Sequence, residues 1–158
     1  MPVRTALTRY ALACLAGAIV ATSAGAQPSP EQTALAIRQG HMKNYAAMLG
    51  VLGPMAQGAR EYDAAAAQVA ADNIYHLSMI DQTHYWPPGT AQGEIEGSAA
   101  LPAIWENMDD FMAKQEALAD VASQLREAAG TDLASLQAAV GALGQACGAC
   151  HQPYRAQN

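Results

Sequence analysis

Three observations predict an all-α chain folded as an antiparallel, up-down-up-down four-helix bundle. Alanine is the main contributor to an apolar content of 51%, while aromatic residues supply only 6%. Alanine favours helix and fills little volume, so closely packed helices are favoured over a sandwich or barrel. Four stretches of helical periodicity are separated by turn and capping chemistry. The last of them, Leu133, Leu136, Val140, Leu143, Cys147, Cys150 and Tyr154, advances in alternating steps of three and four. That is the narrow seam of a helix lying nearly parallel to its neighbours. With 158 residues, one folded domain is expected.

The first residues read as an address. Arg4 and Arg9 form a positive region, Ala11 to Val20 an apolar core, and Ala24-Gly25-Ala26 the small-x-small pattern that signal peptidase accepts. Residues 1–26 are therefore expected to be a signal peptide cleaved before Gln27, leaving a domain of residues 27–158. The apolar run of about ten residues is too short for a membrane span, which needs roughly twenty. Cys14 lies inside the apolar core and so does not mark a lipoprotein. Export, periplasmic for a bacterial chain, puts the remaining Cys147 and Cys150 in an oxidising compartment.

Within the domain, a first helix is expected from Glu31 to about Gln57, with Leu35, Met42, Tyr45, Leu49 and Leu52 inward and Pro54 placed to kink or end it. A second runs from about Tyr62 to Thr83, with Val69, Ile74, Leu77 and Ile80 inward. The stretch from Trp86-Pro87-Pro88-Gly89-Thr90 to Pro102 is too rich in Pro and Gly for a continuous helix. A third helix begins near Ala103, presents Ile104, Met108, Phe111, Leu118, Val121 and Leu125 on one face, and ends at Gly130. Thr131-Asp132 then caps the fourth. No segment after the leader reads as a membrane span, and no repeat stands out.

Charge narrows the function classes. The full chain has 8 basic and 14 acidic residues, net −6. Removal of residues 1–26 takes away two arginines and no acid, which makes the domain more acidic still. General nucleic-acid binding and attachment to anionic membranes are excluded on this balance. An acidic surface suits a basic redox partner at low salt.

Cys147-Gly148-Ala149-Cys150-His151 carries the chemistry. This C-x-x-C-H is the attachment signature of c-type haem. Two thiols reach two vinyl groups on one edge of a porphyrin, and the adjacent imidazole turns under the iron. On a helix, residues three apart differ by about 60° in azimuth and residues four apart by about 40°. All three side chains can therefore face one ring, and the small residues between them leave its approach open. Three other readings compete. A thiol-disulfide pair would sit near a strand-helix junction, and no strands are evident. A disulfide across one helical turn is geometrically poor. Zinc would need further ligands, and His41, His76 and His84 are not at finger spacing.

These residues, with Tyr154-Arg155 after the motif, resemble the cytochrome c′ family. The likeness extends over Arg38-Gln39, Gly53-Pro54-Met55, Tyr62-Asp63-Ala64, Trp86-Pro87-Pro88-Gly89-Thr90 and Pro102-Ala103-Ile104-Trp105. Taken alone, Arg38 reads as a side chain that snorkels to solvent from an apolar face. The resemblance implies instead that Arg38 and Gln39 meet the haem propionates. It implies Cys147 and Cys150 as thioether donors and His151 as axial iron ligand. It places Met42 on the distal side as a lining residue or sixth ligand, where a methionine would otherwise be core filling. Arg155, one turn after His151, reads either as a partner restraining the imidazole or as a cation at a helix C-terminus.

The implied function is a haem-c electron carrier or binder of nitric oxide or carbon monoxide, not a turnover enzyme. The alternatives are a six-coordinate His151/Met42 carrier that ignores gases and a haem-free thiol protein. The resemblance also implies a homodimer through the first two helices, although no decisive exposed apolar stripe is legible there. His41 is expected at the surface or an interface, and His76 and His84 in core or loop. Trp86 and Trp105 are expected at the bundle end, and Met48, Met55, Met79, Met108 and Met112 in the core.

Overall fold

A computed structural model describes residues 27–157; the expected signal peptide and its cleavage site lie outside the described residues. Helix α1 spans Pro30–Ala56, α2 Ala64–Ser78, α3 Ala103–Glu106, α4 Met108–Ala128 and α5 Leu133–Tyr154, with a short 3-10 turn at Thr83–Tyr85. No β-strand occurs among the described residues. The long helices pack in a ring, α1 on α2, α2 on α4, α4 on α5 and α5 on α1. Short links at α1–α2 and α4–α5 make those neighbours antiparallel, as the four-helix expectation requires.

Local chemistry sets the starts. Ser29 accepts from the Gln32 amide while the Gln32 side chain accepts from the Ser29 amide, a reciprocal cap with Pro30 at the first position. Asp63 caps α2 and Asp132 caps α5 through the amides of Ala66 and Ser135. Pro54 falls in the last turn of α1; it has no amide to donate to the Gly50 carbonyl, and the helix stops two residues later.

Several boundaries and faces differ from expectation. Helix α2 ends at Ser78 rather than Thr83, because the chain turns back to bring Gln82 against α1. The third predicted helix is broken at Asn107, whose φ of −136° and ψ of 49° leave helical space, so one short turn precedes α4. On α2 the buried residues are Ala67, Ala70, Ala71 and Ile74, whereas Val69 and Ile80 are exposed. Small side chains bring α2 close to its neighbours, and the larger Val69 is left outside. Met79 is exposed rather than in the core, and so is Leu133 at the start of the seam. Helix α5 is also long and apolar enough to cross a membrane by length and composition, contrary to the sequence reading. Its apolar residues form the bundle's seam against α4 and α1.

The core has two parts. Leu52, Ile74, Leu125, Leu136 and Leu143 are fully buried along the bundle. Ile104, Phe111 and Tyr154 form a second cluster with Trp86 and Trp105 packed against it.

The irregular segment between α2 and α3 is held at both ends of the bundle's open side. Arg38, only 5% exposed, donates to the Tyr85 carbonyl, to the Thr90 hydroxyl at 2.9 Å, to the Thr90 carbonyl and to Ser98 Oγ at 2.9 Å. Gln39 Nε2 donates to the Gly97 carbonyl at 2.9 Å, and Gly97 has φ +81°, a conformation open to glycine. On the other side, Leu101 N donates to Tyr154 O at 3.0 Å and Ala156 N to Ala99 O at 2.8 Å. The Thr90 hydroxyl, fully buried, accepts from Arg38 and donates to Pro87 O. Thr90→Val keeps the shape and deletes both bonds, leaving a buried donor and carbonyl unpaired. A loss of about 1–3 kcal/mol in urea unfolding is expected.

Candidate functional site

A cleft of about 800 Å³ opens between α1, α4, α5 and the tethered loop. Its position follows from side-chain size. Along α5 the sequence Ala146-Cys147-Gly148-Ala149-Cys150 carries no large side chain, and Ala46 faces it from α1. At this level the small side chains leave a hollow that Leu35, Leu49, Phe111 and Leu118 border without filling. Cys147 packs against the first core cluster and Cys150 against the second, so the motif lies where the two meet.

All seven residues singled out in the sequence border this cleft: Arg38, Gln39, Met42, Cys147, Cys150, His151 and Arg155. Met42 is 40% exposed, so its thioether stands at the cleft instead of filling the core. Cys147, Cys150 and His151 are half-buried on the opposite wall. Burial pushes both thiols above the ordinary value; around Cys150 the Lys114 cation acts against the rise. A thiol-disulfide catalyst needs a depressed thiol pKa, so the environment is wrong for that reading. Burial, then the Arg155 charge, pushes His151 below its usual value and keeps the imidazole neutral, the form that binds metals.

Residues 82–115 contribute what sequence reasoning missed. Gln82 is buried; its Nε2 lies 3.4 Å from His41 Nε2, and its Oε1 accepts from Gln115 at 3.2 Å. This chain crosses from α1 to α4 at the edge of the cleft. His41, expected at the surface, is 5% exposed and edge-packed between Tyr45 at 5.0 Å and Tyr85 at 5.7 Å. The returning loop covers a helix face that local periodicity assigns to solvent. His76 and His84 are both exposed. Trp86 packs on Phe111 at 4.7 Å, lies under the Arg38 guanidinium at 4.9 Å, and accepts at its carbonyl from Trp105 Nε1.

Two observations fit an anionic group such as a haem in this cleft. Tyr45 Oη and Trp86 Nε1 are buried without a hydrogen-bond partner, and both residues line the cleft. Such orphans are uncommon unless a further group supplies the partner. Burial first, then the nearby Cys147 and Tyr85, raises the Tyr45 hydroxyl and keeps it a donor. Arg38 is a buried cation whose four bonds all go to neutral acceptors, and no carboxylate pairs with it among the described residues. Burial without a counter-charge is costly. A propionate would supply that charge, so the loop tether and the expected propionate contact are compatible roles of one guanidinium. Gln39 is already used by Gly97, yet an amide keeps a second donor hydrogen.

Burial holds the His41 ring below the ordinary 6.5. The neutral ring is favoured in the fold, so stability is full above about pH 6.5 and falls as the pH drops through the depressed value. His41→Leu is expected to remove part of that acid slope below about pH 6.5, measured as the urea midpoint at each pH.

Comparison with known proteins follows the same lines. The family model described as Cytochrome C′ matches residues 33–155. Cytochrome c-554 of Cereibacter sphaeroides is 48% identical over 118 residues, covering 75% of this chain and 77% of the relative. The solved cytochrome c′ from Rhodobacter Spheriodes superposes with a TM-score of 0.79 at 35% identity, covering 81% of this chain and 98% of that one. A nitric oxide complex of a cytochrome c prime variant from Alcaligenes xylosoxidans gives a TM-score of 0.71 at 32% identity, covering 84% and 100%.

Proposed function

The chain belongs to the cytochrome c′ family, and from that premise we propose how its cleft works. The protein is a c-type haem cytochrome. In our reading it is exported to the periplasm, carries one haem and transfers electrons or binds nitric oxide or carbon monoxide without turning over a substrate. The observation that carries this is the facing pair of walls: Cys147, Cys150 and His151 on α5 look across one cleft to Met42 on α1. A haem bound there supplies a redox-active iron with an axial position for a diatomic ligand.

The chain's own residues do the rest. Cys147 and Cys150 anchor the ring, and neutral His151 offers its nitrogen on the α5 side. Arg38 compensates a propionate while keeping the loop closed. Leu35, Leu49, Ile104, Phe111 and Leu118 exclude water from the faces. Such an apolar lining stabilises bound dioxygen poorly and favours nitric oxide and carbon monoxide. A second reading has Met42 as sixth ligand in an electron carrier closed to gases; the exposure of its side chain within the cleft favours it over core filling. A groove on α1 and α2 lined by Met48, Val51, Ala65, Ala66, Val69 and Ala70 supports pairing of two copies across these helices. This is an apolar surface that the sequence pattern did not reveal.

Optical spectra of the purified holoprotein test the reading. The ferrous spectrum is expected to change on addition of carbon monoxide; sharp low-spin bands that ignore the gas overturn gas binding and select Met42 ligation. In that case Met42→Leu opens the site. Cys147→Ser with Cys150→Ser is expected to release all haem into acid-acetone, whereas the unmodified chain keeps it.

A further inference from the structure

Charge is distributed unevenly on this acidic protein. Residues 27–157 contain six Lys and Arg and fourteen Asp and Glu. Four of the six cations, Arg38, Lys43, Lys114 and Arg155, line the one cleft, and none of the fourteen carboxylates does. The four come from α1, α4 and the end of α5, so the fold and not a local run of sequence assembles them. Of the two cations elsewhere, Arg126 is paired with Asp72 at 3.0 Å.

The bound group accounts for only part of this charge. Two propionates would balance Arg38 and one further cation, and Asp110 stands 3.5 Å from Lys114. Lys43 and Arg155 are exposed at the opening. The net charge suggests a basic partner; the local charge has the opposite sign at the place where the bound group approaches solvent. Between exposed charges the field decays over about 10 Å at 0.1 M salt, so a docking partner senses the opening more strongly than the far side of the bundle. The apolar part of the rim, with Met42 exposed beside Lys43, adds the kind of surface that docking proteins cover.

We propose that the basic rim formed by Lys43 and Arg155 is the electron-exchange docking surface, and that it receives an acidic face of a redox partner protein. The inference rests on the haem-protein reading above. Complementary charge at such a rim raises the association rate and steers orientation.

Two measurements on the holoprotein test it. In the first, the anionic paramagnetic probe hexacyanochromate(III) is titrated into amide NMR spectra. Broadening centred on Lys43 and Arg155 is expected; broadening centred on Arg60 and Arg126, or none, overturns the proposal. In the second, one electron passes from the ferrous protein to ferricyanide, giving ferrocyanide, or to tris(phenanthroline)cobalt(III), giving its cobalt(II) form. The ferricyanide rate is expected to fall severalfold as ionic strength rises from about 10 to 200 mM, and the cobalt rate to rise. Lys43→Glu should weaken or invert both trends, while Arg60→Gln should leave them as they are. Opposite slopes in the unmodified protein would mean that the net charge governs docking and would overturn the rim. Failure of either oxidant to react at all would instead count against the haem reading itself.

Discussion

The Arg38 guanidinium carries the constraint on which the site depends. A cation buried on an apolar helix face is costly unless its donors find acceptors and its charge is answered. Its four bonds to Tyr85, Thr90 and Ser98 occupy both terminal nitrogens, and in doing so draw the Pro- and Gly-rich segment across the open side of the bundle. That segment brings Trp86 over Phe111 and sends the chain on to meet the end of α5. The unanswered charge then makes the cleft a place for an anion. One residue thus links loop closure and wall geometry, and in the proposed reading it also meets a propionate.

The cleft itself is a matter of volume. Four helices at ordinary spacing fill their centre wherever Leu, Ile and Phe face inward. At the level of Ala46 and Ala146 to Cys150 small side chains leave a hollow, and its lining includes Tyr45 and Trp86, each with a buried polar atom that has no partner. An empty hollow of that size would cost stability, since lining atoms lose their contacts. A covalently held planar group restores those contacts, so core packing and cofactor binding are one problem in this fold.

Much of this was legible in the amino-acid sequence, for reasons that differ by element. The α5 seam and the C-x-x-C-H motif are local patterns, so their residues reach the same wall whatever the loops do. Asp63 and Asp132 likewise announce helix starts through short-range bonds. The inner face of α2 was misread because hydrophobicity ranks Val69 above Ala67 and Ala70, while close helix packing selects the smaller side chains. His41 was placed at the surface because its cover, Gln82 and Tyr85, arrives from about forty residues away. The break at Asn107 is a backbone event with no hydrophobic signature. Net charge was readable, but its segregation around one opening depends on three elements meeting in space.

In the proposed reading, one covalently attached haem in the cleft between α1 and α5 completes this acidic four-helix chain. Intact-mass spectrometry of the protein purified from a host able to mature c-type cytochromes tests it most directly. A single species with the mass of the processed polypeptide plus one haem, unchanged by thiol reductant, is expected. A species with the mass of the bare polypeptide, or one lighter by two hydrogens and restored by reductant, would contradict it.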